Sequence, residues 1–178
     1  MISSIRRALA VLAALIAFAA PLTVHAADSS PGNLAWFEDH WIDLSVDWEE
    51  ATACDVGTNG TVCYRTEQLL NAAVWRASST TSGVGILALS CASAVRLYDG
   101  ISYTGNVLNL STRQSIINLS GYGFDNVTTS YKVGACDAEF YSGANFGGSA
   151  YPGNTSASAQ SASMASGWNN LVSSVYIF

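Results

Sequence analysis

Tyr98-Asp99-Gly100-Ile101-Ser102-Tyr103-Thr104-Gly105 is echoed by Tyr141-Ser142-Gly143-Ala144-Asn145-Phe146-Gly147-Gly148, so that two aromatic positions and a glycine recur 43 residues later. A second block, Gly123-Phe124-Asp125-Asn126-Val127-Thr128-Thr129-Ser130, is echoed at a spacing of 44 by Gly167-Trp168-Asn169-Asn170-Leu171-Val172-Ser173-Ser174. Two marker blocks in the same order and at nearly the same separation indicate a duplicated supersecondary unit, two copies of which stack to make one core.

The runs between the markers identify the unit. Residues 94–98, 106–110, 115–119 and 128–133 are short β-prone segments separated by Gly, Asn and Ser. The second copy offers strands at 138–141, 149–151 and 172–178, while Pro152 and the Ala/Ser-rich stretch 160–165 obscure its third strand. Four short strands per copy predict an antiparallel Greek key, and two copies an all-β sandwich. In each first hairpin the leading aromatic is expected to lie over a folded-back turn, with Gly105 or Gly148 taking a positive φ.

The spacing Tyr98/Tyr103/Gly105 and Tyr141/Phe146/Gly148 resembles the Greek-key signature of the βγ-crystallin superfamily. Asp125-Asn126-Val127-Thr128-Thr129-Ser130 and Asn169-Asn170-Leu171-Val172-Ser173-Ser174 resemble its calcium motif, [Asp/Asn]-[Asp/Asn]-x-x-[Ser/Thr]-Ser. The resemblance covers about residues 91–178 and implies two calcium ions, each shared between repeats. It implies a first site from the Thr129 hydroxyl, the Val127 carbonyl and Asn126, with the Ser142 carbonyl from the other repeat. The second would use the Ser173 hydroxyl, the Leu171 carbonyl and Asn170, with the Asp99 carbonyl, while Asp125 and Asn169 brace the loops. Ca²⁺ accepts six to eight oxygen ligands, and these loops carry oxygens with little charge, which predicts Kd values on the order of 10⁻⁴ to 10⁻³ M with the first site the tighter.

Outward from this domain, residues 1–26 read as a secretory signal peptide: Arg6 and Arg7, an apolar run from Ala8 to Ala20, Pro21, and a Val24-His25-Ala26 ending. Residues 27–90 form an acidic, tryptophan-rich segment. It is expected to hold a strand near 42–46, a hairpin about Gly57-Thr58-Asn59-Gly60, a helix from Thr66 to about Ala77, and a loop over 78–85. Trp36, Trp41, Trp48 and Trp75 are expected in a core rather than on a ligand platform. In an exported chain the four cysteines predict disulfides; of the three pairings, Cys54–Cys63 across the hairpin with Cys91–Cys136 is favoured. Zinc is the alternative, with no C-x-x-C pair to favour it.

The formal net charge of −6 and a pI near 4.6 argue against nucleic acid or anionic membrane as a partner. Catalysis has little to draw on. Outside residues 1–26 His40 is the one histidine, and the neighbouring Glu49 and Glu50 would point to opposite faces of a strand. The expected function is therefore a secreted, non-enzymatic protein whose stability calcium tunes. On the same resemblance an extracellular protease inhibitor, using the 54–63 hairpin, and a killer-toxin-like or cell-wall-binding module, using residues 36–50, are the alternative partners' readings.

Overall fold

The computed structural model describes residues 33–80 and 94–178. Among the described residues eleven strands, one α-helix and three short 3₁₀ turns follow in chain order. The first four strands are β1 (Leu34–Phe37), β2 (His40–Asp43), β3 (Ala53–Gly57) and β4 (Gly60–Tyr64), followed by the helix α1 (Glu67–Thr80). Then come β5 (Val95–Tyr98), β6 (Val107–Leu110), β7 (Ile116–Asn118), β8 (Ser130–Lys132), β9 (Ala138–Tyr141), β10 (Gln160–Ser161) and β11 (Ser174–Ile177). An eight-stranded sheet has the order β10-β8-β5-β6-β3-β4-β1-β2, and a three-stranded sheet the order β7-β11-β9.

Strands β5 to β8 form one Greek key and β9 to β11 the other, and each unit lends its third strand to its partner's sheet. β10 pairs with β8, and β7 pairs with β11. The uncertain third strand of the second copy is thus only two residues long, with Gln160 opposite Lys132 and Ser161 opposite Tyr131. The expected strand at 149–151 shrinks to one bridge between Tyr141 and Ala150, just ahead of Pro152, which has no N–H to continue a ladder.

Period-two alternation decides which side chains meet. Leu97, Leu108, Leu110 and Tyr131 of the large sheet share a core with Ile117, Phe140, Val175 and Ile177 of the small one. The other face of the large sheet lies under α1, where Leu70 packs with Ala53, Tyr98 and Val107. Strand β6 is consequently buried on both faces, and Asn109 on its helix side is 1 % exposed. A buried amide needs partners. Asn109 has them: it accepts from Arg96 Nε at 3.1 Å and donates to Asp55 at 2.7 Å. Arg96 in turn donates to Glu67 at 2.8 Å, tying the start of α1 to the sheet.

The first segment joins the domain through its backbone. β3 runs parallel to β6 from Ala53↔Val107 to Val56↔Leu110, so β1 to β4 extend the large sheet. Cys54 and Cys63 face each other in the β3–β4 ladder and are disulfide-bonded. Cys136 is disulfide-bonded as well; Cys91, its expected partner, lies outside the described residues, as do residues 1–26 and the loop over 81–85. The expected strand near 42–46 begins earlier, at His40, and ends at Asp43, whose carboxylate accepts the Ser45 N–H at 3.0 Å and closes a turn. The helix starts behind Thr66 as expected, the Leu69 N–H reaching Thr66 Oγ1 at 3.3 Å.

The core assignment of the tryptophans holds for Trp48 and fails for three others. Trp36, Trp41 and Trp75 are 38, 58 and 71 % exposed. In β1 it is Ala35 and Phe37 that turn inward, which sends Trp36 to the outer face, where it meets Trp41 edge to face at 5.3 Å.

Candidate functional site

Each folded-back hairpin is built from the same backbone conformations. Ser102 and Tyr103 have φ of 55° and 62°, and Asn145 and Phe146 have 54° and 64°. Gly105 and Gly148 follow at 80° and 73°, as expected; a Cβ there would lie 1.9 Å from Asp99 Oδ1 and 2.3 Å from Ser142 Oγ. Those two side chains clamp the hairpins, Asp99 accepting the Asn106 N–H at 2.8 Å and Ser142 the Ser149 N–H at 2.9 Å. The aromatic pairs Tyr98/Tyr103 and Tyr141/Phe146 meet edge to face over the turns.

The last serine of each motif ties motif to hairpin, a role that reading the sequence missed. Ser130 Oγ donates to the Gly100 carbonyl at 2.6 Å and accepts the Tyr103 N–H at 3.1 Å. Ser174 repeats this with Gly143 at 2.7 Å and Phe146 at 3.3 Å. The signal was the invariance of that position between the two copies. Both serines are fully buried.

The two motif loops interlock. The Asn126 N–H donates to the Val172 carbonyl and the Asn170 N–H to the Thr128 carbonyl, both at 3.0 Å. Asn126 and Asn170 each have φ of 57°, a left-handed conformation that Asn tolerates better than most residues. That conformation turns each amide toward the other loop. The Thr129 hydroxyl lies 3.0 Å from Asn170 Oδ1 and 3.3 Å from the Val127 carbonyl, and Ser173 Oγ lies 3.3 Å from Asn126 Oδ1. Asp125 stays at the rim, accepting from Asn126 Nδ2 at 3.2 Å. Asn169 and Leu171 are exposed.

The grouping differs from the expected one in two respects. The asparagines are exchanged: Asn170 joins Val127 and Thr129, while Asn126 joins Ser173. The hairpin residues are exchanged too. Beyond the Tyr98–Ser130 pair the Thr129 N–H donates to the Tyr98 carbonyl at 2.8 Å, one residue before Asp99. Beyond the Ser174–Tyr141 pair the Ser173 N–H donates to the Tyr141 carbonyl at 2.8 Å, one residue before Ser142. The physical reason is register: the fourth strand of each repeat pairs with that repeat's own first strand, so hairpin and hydroxyl come from one copy and the amide from the other.

These donors suit a hard cation. Thr129 Oγ1, Val127 O and Asn170 Oδ1 are three oxygens served by one hydroxyl proton, and Thr128 Oγ1, wholly buried in the same loop, has no hydrogen-bond partner. A calcium ion would supply the positive charge that the Thr129, Val127 and Asn170 lone pairs lack. Among the described residues no three His, Cys, Asp or Glu side chains come together as a metal cluster.

Elsewhere Tyr98 is pushed up to about 12 by burial, with a smaller push from its bond to Glu67. Strands β3 and β4 are each paired on both sides, and the tip of the 54–63 hairpin, Thr58 to Gly60, is exposed and borders a 670 Å³ cleft.

Crossed Greek keys, matched hairpins and duplicated loops now stand together. The C-terminal half resembles βγ-crystallin domains. Similar solved structures include a βγ-crystallin of Ciona intestinalis, 18 % identical over 48 % of this chain and 100 % of that one, with a TM-score of 0.42. A βγ-crystallin domain of Clostridium beijerinckii is 25 % identical over 48 % of this chain and 98 % of its own, with a TM-score of 0.40. One from Flavobacterium johnsoniae is 24 % identical over 48 % and 94 %, with a TM-score of 0.41. No family model and no curated protein matches the sequence. No helix among the described residues is long and apolar enough to cross a membrane.

Proposed function

We propose that this is a secreted, non-enzymatic calcium-binding protein whose two interlocked loops each hold one ion and whose stability the ion tunes. The observation that carries it is the crosswise clasp, Asn170 with Thr129 and Asn126 with Ser173, which gathers neutral oxygens from both repeats at two related places. The signal-peptide pattern of residues 1–26 and the Cys54–Cys63 disulfide support export. With few charged ligands, Kd values on the order of 10⁻⁴ to 10⁻³ M are expected. Calcium at tenfold Kd then adds about 1.4 kcal/mol per site. Calorimetric titration of the purified protein should show two binding events, and a thermal melt should shift upward with calcium over chelator. Absence of binding heat together with identical midpoints would refute the function.

A further inference from the structure

Asp47 belongs to the acidic segment that precedes the duplicated domain, yet it borders the first motif loop. Asp47, Asp99 and Val127 line one open cavity of about 330 Å³, together with Trp48, Gly123 and Phe124. The segment is held there closely. The Trp48 indole donates to the Tyr122 carbonyl at 2.8 Å and packs on Phe124 with ring centroids 5.5 Å apart. Gly123 is pressed against it: a Cβ at that position would lie 2.4 Å from the Leu44 carbonyl oxygen.

Within the segment the carboxylates divide their work. Asp43 is committed to its turn, accepting the Ser45 N–H at 3.0 Å and the Ser45 hydroxyl at 2.6 Å. Asp47 uses Oδ1 for the Glu49 N–H at 3.0 Å, which leaves Oδ2 available. Val127 and Asp99, which share its cavity, are the carbonyl and the hairpin residue grouped with Thr129 above. The second motif, 169–174, contains no acidic residue at all.

We infer that Asp47 supplies a carboxylate to the cation site formed by Val127, Thr129 and Asn170, an assignment that rests on the calcium-binding function proposed above. The N-terminal segment thereby becomes part of the site. It makes the first site the tighter because affinity rises with ligand charge. It also couples calcium to the docking of residues 43–48, since an ion held by both Asp47 and Val127 bridges the segment and the loop.

Calorimetry on wild-type protein, Asp47→Asn and Asp39→Asn, in 0.15 M salt, tests this. Asp47 is exposed and the amide keeps an acceptor for Glu49, so the variant retains its fold, to be verified by near-ultraviolet circular dichroism. Asp39 is a control for overall charge, its side chain being 93 % exposed and facing His40. The expected result is a loss of roughly tenfold or more in the tighter site for Asp47→Asn, with the weaker site unchanged. Asp39→Asn should change either site by less than about twofold, because exposed distant charge is screened. Asp47→Ser should reproduce the loss. Unchanged affinities in the Asp47 variants, a loss confined to the weaker site, or equal losses in the Asp39 and Asp47 variants would overturn the assignment while leaving calcium binding intact. A wild-type protein that binds no calcium would overturn both.

Discussion

Asn170 offers a quantitative test of the interlocked loops because two separable effects meet there. Its φ of 57° is left-handed, and its Oδ1 lies 3.0 Å from the Thr129 hydroxyl of the other repeat. Asn170→Ala loses the cross-loop hydrogen bond, worth about 1 kcal/mol, and places a Cβ where left-handed backbone costs about 1 kcal/mol or more. Asn170→Gly loses only the first. The alanine variant should therefore be destabilised by about 2 kcal/mol and the glycine variant by about 1 kcal/mol, the reverse of their order in a helix. For a chain of this size 2 kcal/mol corresponds to a fall in Tm of roughly 4–8 °C. Urea unfolding followed by tryptophan fluorescence, with chelator present so that ion binding contributes nothing, would measure both. If glycine proves as harmful as alanine, strain at Asn170 is not the cause. If neither variant loses more than about 0.3 kcal/mol, the cross-loop bond contributes nothing to stability. With calcium added, the same alanine should weaken the site at Thr129 and spare the one at Ser173, although Asn170 and Ser173 share a loop.

Two further outcomes follow from the first segment. His40 is held above the ordinary histidine range by its bond to Glu49, then by that to Asp39. The resulting stabilisation is present below the unfolded-state pKa and lost as pH rises through the raised folded-state value. In an NMR titration Glu49→Gln should bring the His40 midpoint down; an unmoved midpoint would show that the contact is not formed. Leu70, fully buried between α1 and the large sheet, should cost about 3 kcal/mol as Leu70→Ala, accompanied by faster amide exchange along α1. A cost under about 1 kcal/mol would mean that the helix is not anchored there.

What could be read directly was whatever repeats or closes over a short span. The hairpins around Gly105 and Gly148 were legible because a positive φ leaves a glycine in both copies. The Cys54–Cys63 bridge was legible because the two residues flank a two-residue turn, Gly57 pairing with Gly60. Asp47 carried no such signal. It lies far from the first motif in sequence, and only the cavity it shares with Val127 brings it there.

Local chemistry in the amino-acid sequence thus determined the duplicated Greek keys, their folded-back hairpins, the capped helix and the oxygen-rich composition of the two loops, because each depends on residues within a few positions of one another. Tertiary structure decided which asparagine meets which hydroxyl, that β3 lies against β6 and enlarges the sheet, and that Trp36 and Trp41 face outward. Those outcomes depend on register between strands distant in the chain, and a slip of one residue would exchange the faces of a strand without altering its local pattern.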